Sequence, residues 1–452
     1  MTDNNWVNEE LSGANFNDKR LSNRLLAITD ALRQKSELSI PAAMATWGDT
    51  IATYRFFDNE KVTPDKILEP HIASTIKRIK ANKIALCIQD TSEINYSSKS
   101  DIEGLGPLNT NTHRGFLLHP TIAITPDREF LGIITTKMYT RESIGNKGAN
   151  RDRPIEEKES IRWLESFESV DGLARNCPDT LIVNITDREG DIYELFNETS
   201  GLRNSDGAHW LVRASYNRVV TKDKKLWDAI TQEAVCGHIE FKLPKRGNVP
   251  ARTVKQELRI GKVRLGGSRR EGVALPPLDV TAVLAKEIDT PEGAKPIEWL
   301  LLSSLPVSGK NWALILMSWY LCRWEIEIFF KTLKSGCTIE KLQLEHVNNL
   351  YNCIALYMII AWRIMYIRSM GLKNPEGSCE LIFTDNEWQS VYCVVNKTKE
   401  IPLQPPTIYQ IIILIAKLGG FLGRKGDGYP GVKTMWIGFQ RMVDLAHAWA
   451  YK

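Results

Sequence analysis

Two short apolar runs, each closed by an aspartate, constrain this chain more than any other feature. Lys83-Ile84-Ala85-Leu86-Cys87-Ile88-Gln89-Asp90 and Thr180-Leu181-Ile182-Val183-Asn184-Ile185-Thr186-Asp187 are nearly continuous rather than alternating. Continuous apolar character marks strands covered on both faces, which belong in a sheet flanked by helices. An aspartate at a strand end is also common in plain turns, so the pair alone fixes no chemistry. The polar clusters Gln89-Asp90-Thr91 and Asp187-Arg188-Glu189-Gly190-Asp191 nevertheless fall where an α/β sheet opens its cleft.

The segments around them set the fold class. Phe116 to Thr125 and Phe130 to Met138 flank Pro126-Asp127-Arg128, a hairpin signal. Glu156 to Phe167 reads as a helix, Asp191 to Phe196 as another, and Trp210 to Arg213 as a strand. That order predicts a mixed α/β layer fold. At 452 residues the chain is long enough for two to four domains, and 43% apolar content excludes wholesale disorder. The longest apolar run, Cys353 to Trp362, is about half of the roughly 20 residues a membrane helix needs, so no membrane partner is expected. No charged-then-apolar leader opens the sequence, and a cytoplasmic location is expected. The eight cysteines form no CxxC pair and the seven histidines no HExxH motif, which excludes zinc sites and a disulfide framework. GxxxxGK does not occur, and Gly426-Asp427-Gly428-Tyr429-Pro430-Gly431, which spells GxGxxG, follows a helical segment rather than a strand, so no nucleotide cofactor is expected.

The charge of +4 decides nothing about nucleic acid, but its distribution is informative. Residues 1–70 read as short helices. Arg20 and Arg24 lie four apart on one face, and Tyr54-Arg55-Phe56-Phe57 mixes rings with a cation, as nucleic-acid surfaces do. A solvated face over local core has the same look. Between Lys245 and Arg270 nine basic residues stand against one acid, Glu257, which suggests a phosphate-facing β insertion or a merely solvated hairpin. Helices follow over Trp312 to Lys334, Asn349 to Met370 and Pro406 to Lys417, with a linker-like stretch at 371–405.

The most specific pattern lies on the first of these helices. Tyr320, Arg323, Glu327, Lys331 and Lys334 fall within roughly an 80° arc of one continuous helix. Ile326, Phe329, Phe330 and Leu333 lie largely on another side. A phenol, a guanidinium and two amines suit phosphate oxygens. The lone carboxylate can join Asp90 and Asp187 in holding divalent cations, Mg²⁺ or Mn²⁺, for two-metal phosphodiester chemistry.

Tyr320-x2-Arg323-x3-Glu327-x6-Lys334 resembles the YREK signature of the IS-four family of bacterial DDE transposases. Ile88-Gln89-Asp90-Thr91 and Asp187-Arg188-Glu189-Gly190-Asp191 resemble its other catalytic segments, and the likeness runs nearly end to end. Phe330 departs from the family pattern, where a histidine stands. The resemblance implies an RNase H-like core over 71–220 and 301–370, interrupted by a basic β insertion at 221–300. A helical DNA-end-binding domain at 1–70 would precede it, and a helical dimerisation region at 371–452 would follow. It implies cut-and-paste DNA transposition, with Asp90, Asp187 and Glu327 holding two Mg²⁺ or Mn²⁺ ions. Tyr320, Arg323, Lys331 and Lys334 would grip DNA, Trp299 would stack on a flipped base, and Arg20, Arg24, Tyr54 and Arg55 would read the transposon end. The expected partners are double-stranded DNA, both transposon-end inverted repeats and target, and a second copy in a synaptic homodimer. A metal-dependent nuclease without strand transfer and a non-catalytic DNA-binding inhibitor are the alternatives.

Overall fold

A computed structural model describes residues 6–35, 38–99, 101–110, 112–143, 153–198, 207–221, 224–243, 251–270 and 273–450. The architecture is mixed α/β. The chain divides into two compact units, one made of Ile79–Asp90 and Gly145–Trp324, the other of Met1–Arg78, Thr91–Ile144 and Glu325–Lys452.

The first unit is built on a sheet whose strands we number β1 (Ile84–Gln89), β2 (Leu181–Thr186), β3 (His209–Arg213), β4 (Val235–Leu243), β5 (Arg252–Leu265), β6 (Leu278–Ile288) and β7 (Glu298–Ser303). Their spatial order is β4-β5-β6-β7-β3-β2-β1. β1, β2 and β3 run parallel, and β7, β6, β5 and β4 continue the sheet antiparallel from β3. The two apolar runs thus become adjacent parallel strands, with Leu86, Ile88, Val183 and Ile185 wholly buried. Gln89 and Asn184 are also wholly buried, and Gln89 Nε2 donates to Asn184 Oδ1 at 2.9 Å between the strands. The expected boundary at residue 300 falls inside β7.

The basic stretch within 245–270 forms most of β5, which alternates in burial as a sheet covered on one face does. Lys245 and Arg246 lie outside the described residues. Arg252 pairs with Glu287, Arg259 with Glu257 and Arg264 with Asp279. Across the neighbouring strand Glu240 stands opposite Lys255. Acids from the flanking strands, invisible when the stretch is read by itself, balance much of its charge.

The second unit carries the helices Trp6–Leu11, Lys19–Gln34, Ile40–Ala43, Trp47–Phe57 and Pro64–Lys80. The expected hairpin forms between Arg114–Ile124 and Phe130–Tyr139. Its long helix, Val347–Lys373, meets the length and apolarity of a membrane span, and 83% of its most apolar window is buried inside the protein, as in a core helix. The stretch at 371–405 is not all linker: Asp385–Asn396 is a helix opened by a capping box between Thr384 and Glu387.

A buried polar network joins the ends of this unit. Arg78 donates to both oxygens of Glu10 at 2.9 Å, and its guanidinium lies 4.3 Å from the centre of the Trp362 ring. His71 Nδ1 sits 2.5 Å from Glu10 Oε1, while its Nε2 accepts from the Ile133 amide at 3.0 Å. The ring is therefore neutral, with its proton on Nδ1. Burial pushes the His71 pKa down, outweighing the pull of Glu10. Burial alone would raise Glu10, but the hydrogen bonds from His71 and Arg78 hold its carboxyl below the usual range. Both groups favour their deprotonated forms in the folded state, so the stability they add is present at neutral pH and lost in acid. We expect the melting temperature to fall as pH drops below the ordinary histidine value of 6.5, and again below the ordinary glutamate value of 4.5. Glu10→Ala strands a guanidinium and should cost about 3 kcal/mol at neutral pH. A melt series across pH on both proteins checks this: equal slopes in acid would contradict it.

Candidate active site

The site begins with a register. Ile88 on β1 pairs with Ile185 on β2, and Thr186 on β2 pairs with Val212 on β3. Carrying those pairings past the strand ends aligns Asp90 with Asp187, and Asp187 with Arg213. Three charged residues thus leave three adjacent parallel strands in one row, their backbones about 4.8 Å apart from strand to strand. Asp90 and Asp187 are half-buried. The turn after Asp187 is fixed locally: its carboxylate accepts from the Glu189 amide at 2.8 Å. Gly190 folds back so closely that a Cβ there would meet Thr186 Oγ1 at 2.3 Å, so no larger residue fits.

Cations surround the acids. Arg323 donates to Asp90 Oδ2 at 3.0 Å. Tyr320, only 4% exposed, is hydrogen-bonded to Arg213, and its phenol also feels Arg323 and Asp187. Burial raises the Tyr320 pKa despite the two arginines. Arg213 is lowered, first by burial and further by repulsion from Arg188 and Arg323. Three guanidinium groups and two carboxylates therefore share one electrostatic neighbourhood. Trp299 on β7 stands half-buried beside it, 6.5 Å from Tyr320 between ring centres and stacked on Phe241 at 6.0 Å. Arg213 lies 6.0 Å from the Trp299 ring centre.

The single helix expected over Trp312 to Lys334 is instead two: α1 (Lys310–Leu321) and α2 (Trp324–Lys331). Cys322 and Arg323 form the tight turn between them, bonding back three residues to Trp319 and Tyr320. A π turn, Thr332–Gly336, then carries Lys334. The arc drawn for five residues on one straight helix is therefore interrupted twice. Tyr320 and Arg323 belong to the same unit as Asp90, Asp187 and Trp299, whereas Glu327, Lys331 and Lys334 belong to the other. Glu327 is half-buried on α2, and Lys334 lies 4.0 Å from Glu340. Of the proposed end-reading residues, Arg20 is exposed beside Asp18, Arg24 meets Asp49 at 3.3 Å, Arg55 is exposed and Tyr54 is half-buried.

Among the described residues no three histidine, cysteine or acidic side chains are gathered where they could hold a metal ion. The donor chemistry of the Asp90–Asp187 pair still fits a hard cation, which takes carboxylate oxygens. A guanidinium already stands at Asp90, in the role of a cation. Arg213 was not singled out from sequence. Its position closing a third buried-type strand, Trp210 to Arg213, is the signal that could have found it. Trp324 is 50% exposed, and the Arg323 guanidinium lies 5.3 Å from its ring centre.

With the geometry in place, two family models match the chain. Residues 3–62 match the model described as transposase DNA-binding. Residues 359–451 match the transposase Tn5 dimerisation domain. Both ends of this chain resemble parts of transposases. The second match covers the helices Asp385–Asn396, Ile408–Leu418 and Val432–Trp449, including the one hidden in the expected linker. Among solved structures, a cryo-EM synaptic complex of the piggyBac transposase with hairpin DNA aligns over 81% of this chain and 72% of its own, with 11% identity and a TM-score of 0.38. That similarity is too low to bear on the site.

The packing of Tyr320 and Trp299 makes a stability prediction. Tyr320→Phe removes one buried hydrogen bond and should cost about 1 kcal/mol. Trp299→Ala should cost about 2 kcal/mol, less than the roughly 3–5 of a fully buried ring, because Trp299 is half-exposed. Urea unfolding followed by tryptophan fluorescence measures both; a Trp299→Ala loss near zero would mean that its packing contributes nothing.

Proposed function

We propose that this chain is a DDE transposase of the IS-four type that moves a DNA element by cut-and-paste. The observation that carries the reading is the row of Asp90, Asp187 and Arg213 on adjacent parallel strands, with Tyr320 and Arg323 against it. It lies in a chain whose ends match a transposase DNA-binding model and a Tn5 dimerisation model. The core is proposed to be RNase H-like, with β4, β5 and β6 as its insertion.

In this reading Asp90, Asp187 and Glu327 hold two Mg²⁺ or Mn²⁺ ions. Bound there, such ions would make an oxygen nucleophile available at neutral pH and steady the leaving oxygen of an in-line displacement. The chain's own residues supply the rest. Tyr320, Arg213, Arg323 and Lys334 hold phosphate oxygens at the cut end, where charge-assisted bonds are strongest. Water cleaves one strand at the element's end. The freed 3′-hydroxyl attacks the opposite strand to close a hairpin, a second water opens it, and the same hydroxyl joins target DNA. A hairpin needs a tight backbone turn, eased when a base leaves the stack; Trp299 recovers that cost by stacking. Residues 1–70 bind the double-stranded end through Arg20, Arg24, Tyr54 and Arg55, and the C-terminal helices pair two copies across two ends. The protein works in the cytoplasm, on the nucleoid.

Two experiments test this. The inverted repeats flanking the gene supply the substrate. Incubated with that DNA, Mg²⁺ and a circular target, the protein should cut and join. Cutting alone would favour a nuclease, and binding without cutting an inhibitor. Asp90→Asn, Asp187→Asn and Glu327→Gln should each abolish cutting at least 10³-fold, an order-of-magnitude expectation for losing a metal ligand, while gel-shift affinity for the end is kept. Substantial cutting by any one of them removes that residue from the metal site. Deleting residues 1–60 should leave only salt-sensitive, sequence-blind binding. If the truncated protein still prefers its own end in competition, recognition lies elsewhere.

A further inference from the structure

The Arg323–Asp90 contact has a consequence beyond phosphate binding. Arg323 reaches Asp90 from the two-residue turn between α1 and α2, with N–O at 3.0 Å and side-chain exposures of 11% and 18%. An ion pair this sheltered is screened far less than a surface pair. Its guanidinium occupies the carboxylate that a divalent cation needs. A second cation cannot take Asp90 Oδ2 without moving the first, because like charges in a poorly solvated site repel strongly.

We propose that Arg323 is a tethered counter-cation that holds Asp90 in the metal-free protein and competes with the metal for it. This rests on the reading of Asp90 as a metal ligand. A phosphate offers Arg323 an alternative partner with the same geometry as a carboxylate. DNA arriving at the site therefore draws Arg323 off Asp90 and opens the carboxylate to the cation. Metal and DNA then bind with positive coupling, each raising the affinity of the other by the same factor. Without DNA the acid pair stays neutralised by its own side chains and holds metal weakly. The arrangement keeps a hydrolytic centre unloaded until its substrate is present. Arg213, which repels Arg323, eases its release once a phosphate is there to accept it.

The proposal makes an unusual demand: removing a cation from the site must tighten metal binding. Free Mn²⁺ measured by electron paramagnetic resonance, at rising Mn²⁺ and without DNA, reads the affinity directly and needs no turnover. Arg323→Gln should bind Mn²⁺ about tenfold more tightly than the wild type, the order expected for deleting one nearby charge. Arg323→Lys keeps the charge and should stay within about threefold of the wild type. Thermal melts of each variant confirm that the fold is retained. Unchanged or weaker Mn²⁺ binding by Arg323→Gln overturns the proposal. Asp90→Asn serves as the separate control. If it binds Mn²⁺ as well as Arg323→Gln does, the metal-ligand reading of Asp90 itself fails, and the proposal with it.

Discussion

The structure turns on two carboxylates held side by side. Asp90 and Asp187 close neighbouring parallel strands at equivalent positions, and the wholly buried residues beneath them leave neither strand room to slip. Two like charges on neighbouring strand ends repel, the more so where they are shielded from water. A fold retains such a pair only where positive charge offsets it. Here Arg323 bonds to Asp90, and Arg213 and Arg188 lie close by. The positive neighbourhood that neutralises the acids is also one that attracts polyanions, so under the proposed function local charge balance and substrate recognition draw on the same side chains.

The second dependence is on rigidity. Tyr320 is buried where its hydroxyl meets Arg213, and Trp299 is wedged between Phe241 and that same pair. Reactive geometry must be held within a fraction of an ångström, and side chains packed on strands achieve that better than loops. The antiparallel strands β4 to β7 extend the sheet from β3, so they are continuous with the strands that carry the acids.

Much of this was legible in the amino-acid sequence, for identifiable reasons. Strands buried on both faces leave an unmistakable apolar run, so β1, β2 and the aspartates that end them could be read directly. The hairpin declared itself through Pro126-Asp127-Arg128, although its turn is completed by Arg128 in a left-handed conformation, φ 64°. What was not legible depends on partners distant in sequence. The break at Cys322–Arg323 involves neither proline nor glycine, and Arg323 is bound to Asp90, 233 residues away. The basic stretch of β5 looked phosphate-facing because Glu287 and Asp279 stand on a different strand. The helix Asp385–Asn396 was missed although Thr384 and Glu387 spell its capping box, because the flanking prolines and glycines dominate the local composition.

The central claim is that Asp90 and Asp187 form a cation-binding pair that opens when DNA arrives. Crystals of the protein bound to its own DNA end, grown with Mn²⁺, test it most directly through anomalous scattering at the manganese edge. The account predicts an anomalous peak within about 2.0–2.3 Å of a carboxylate oxygen of both residues, with Arg323 turned away onto a DNA phosphate. A DNA-bound structure in which Arg323 still holds Asp90 and manganese lies elsewhere would contradict it.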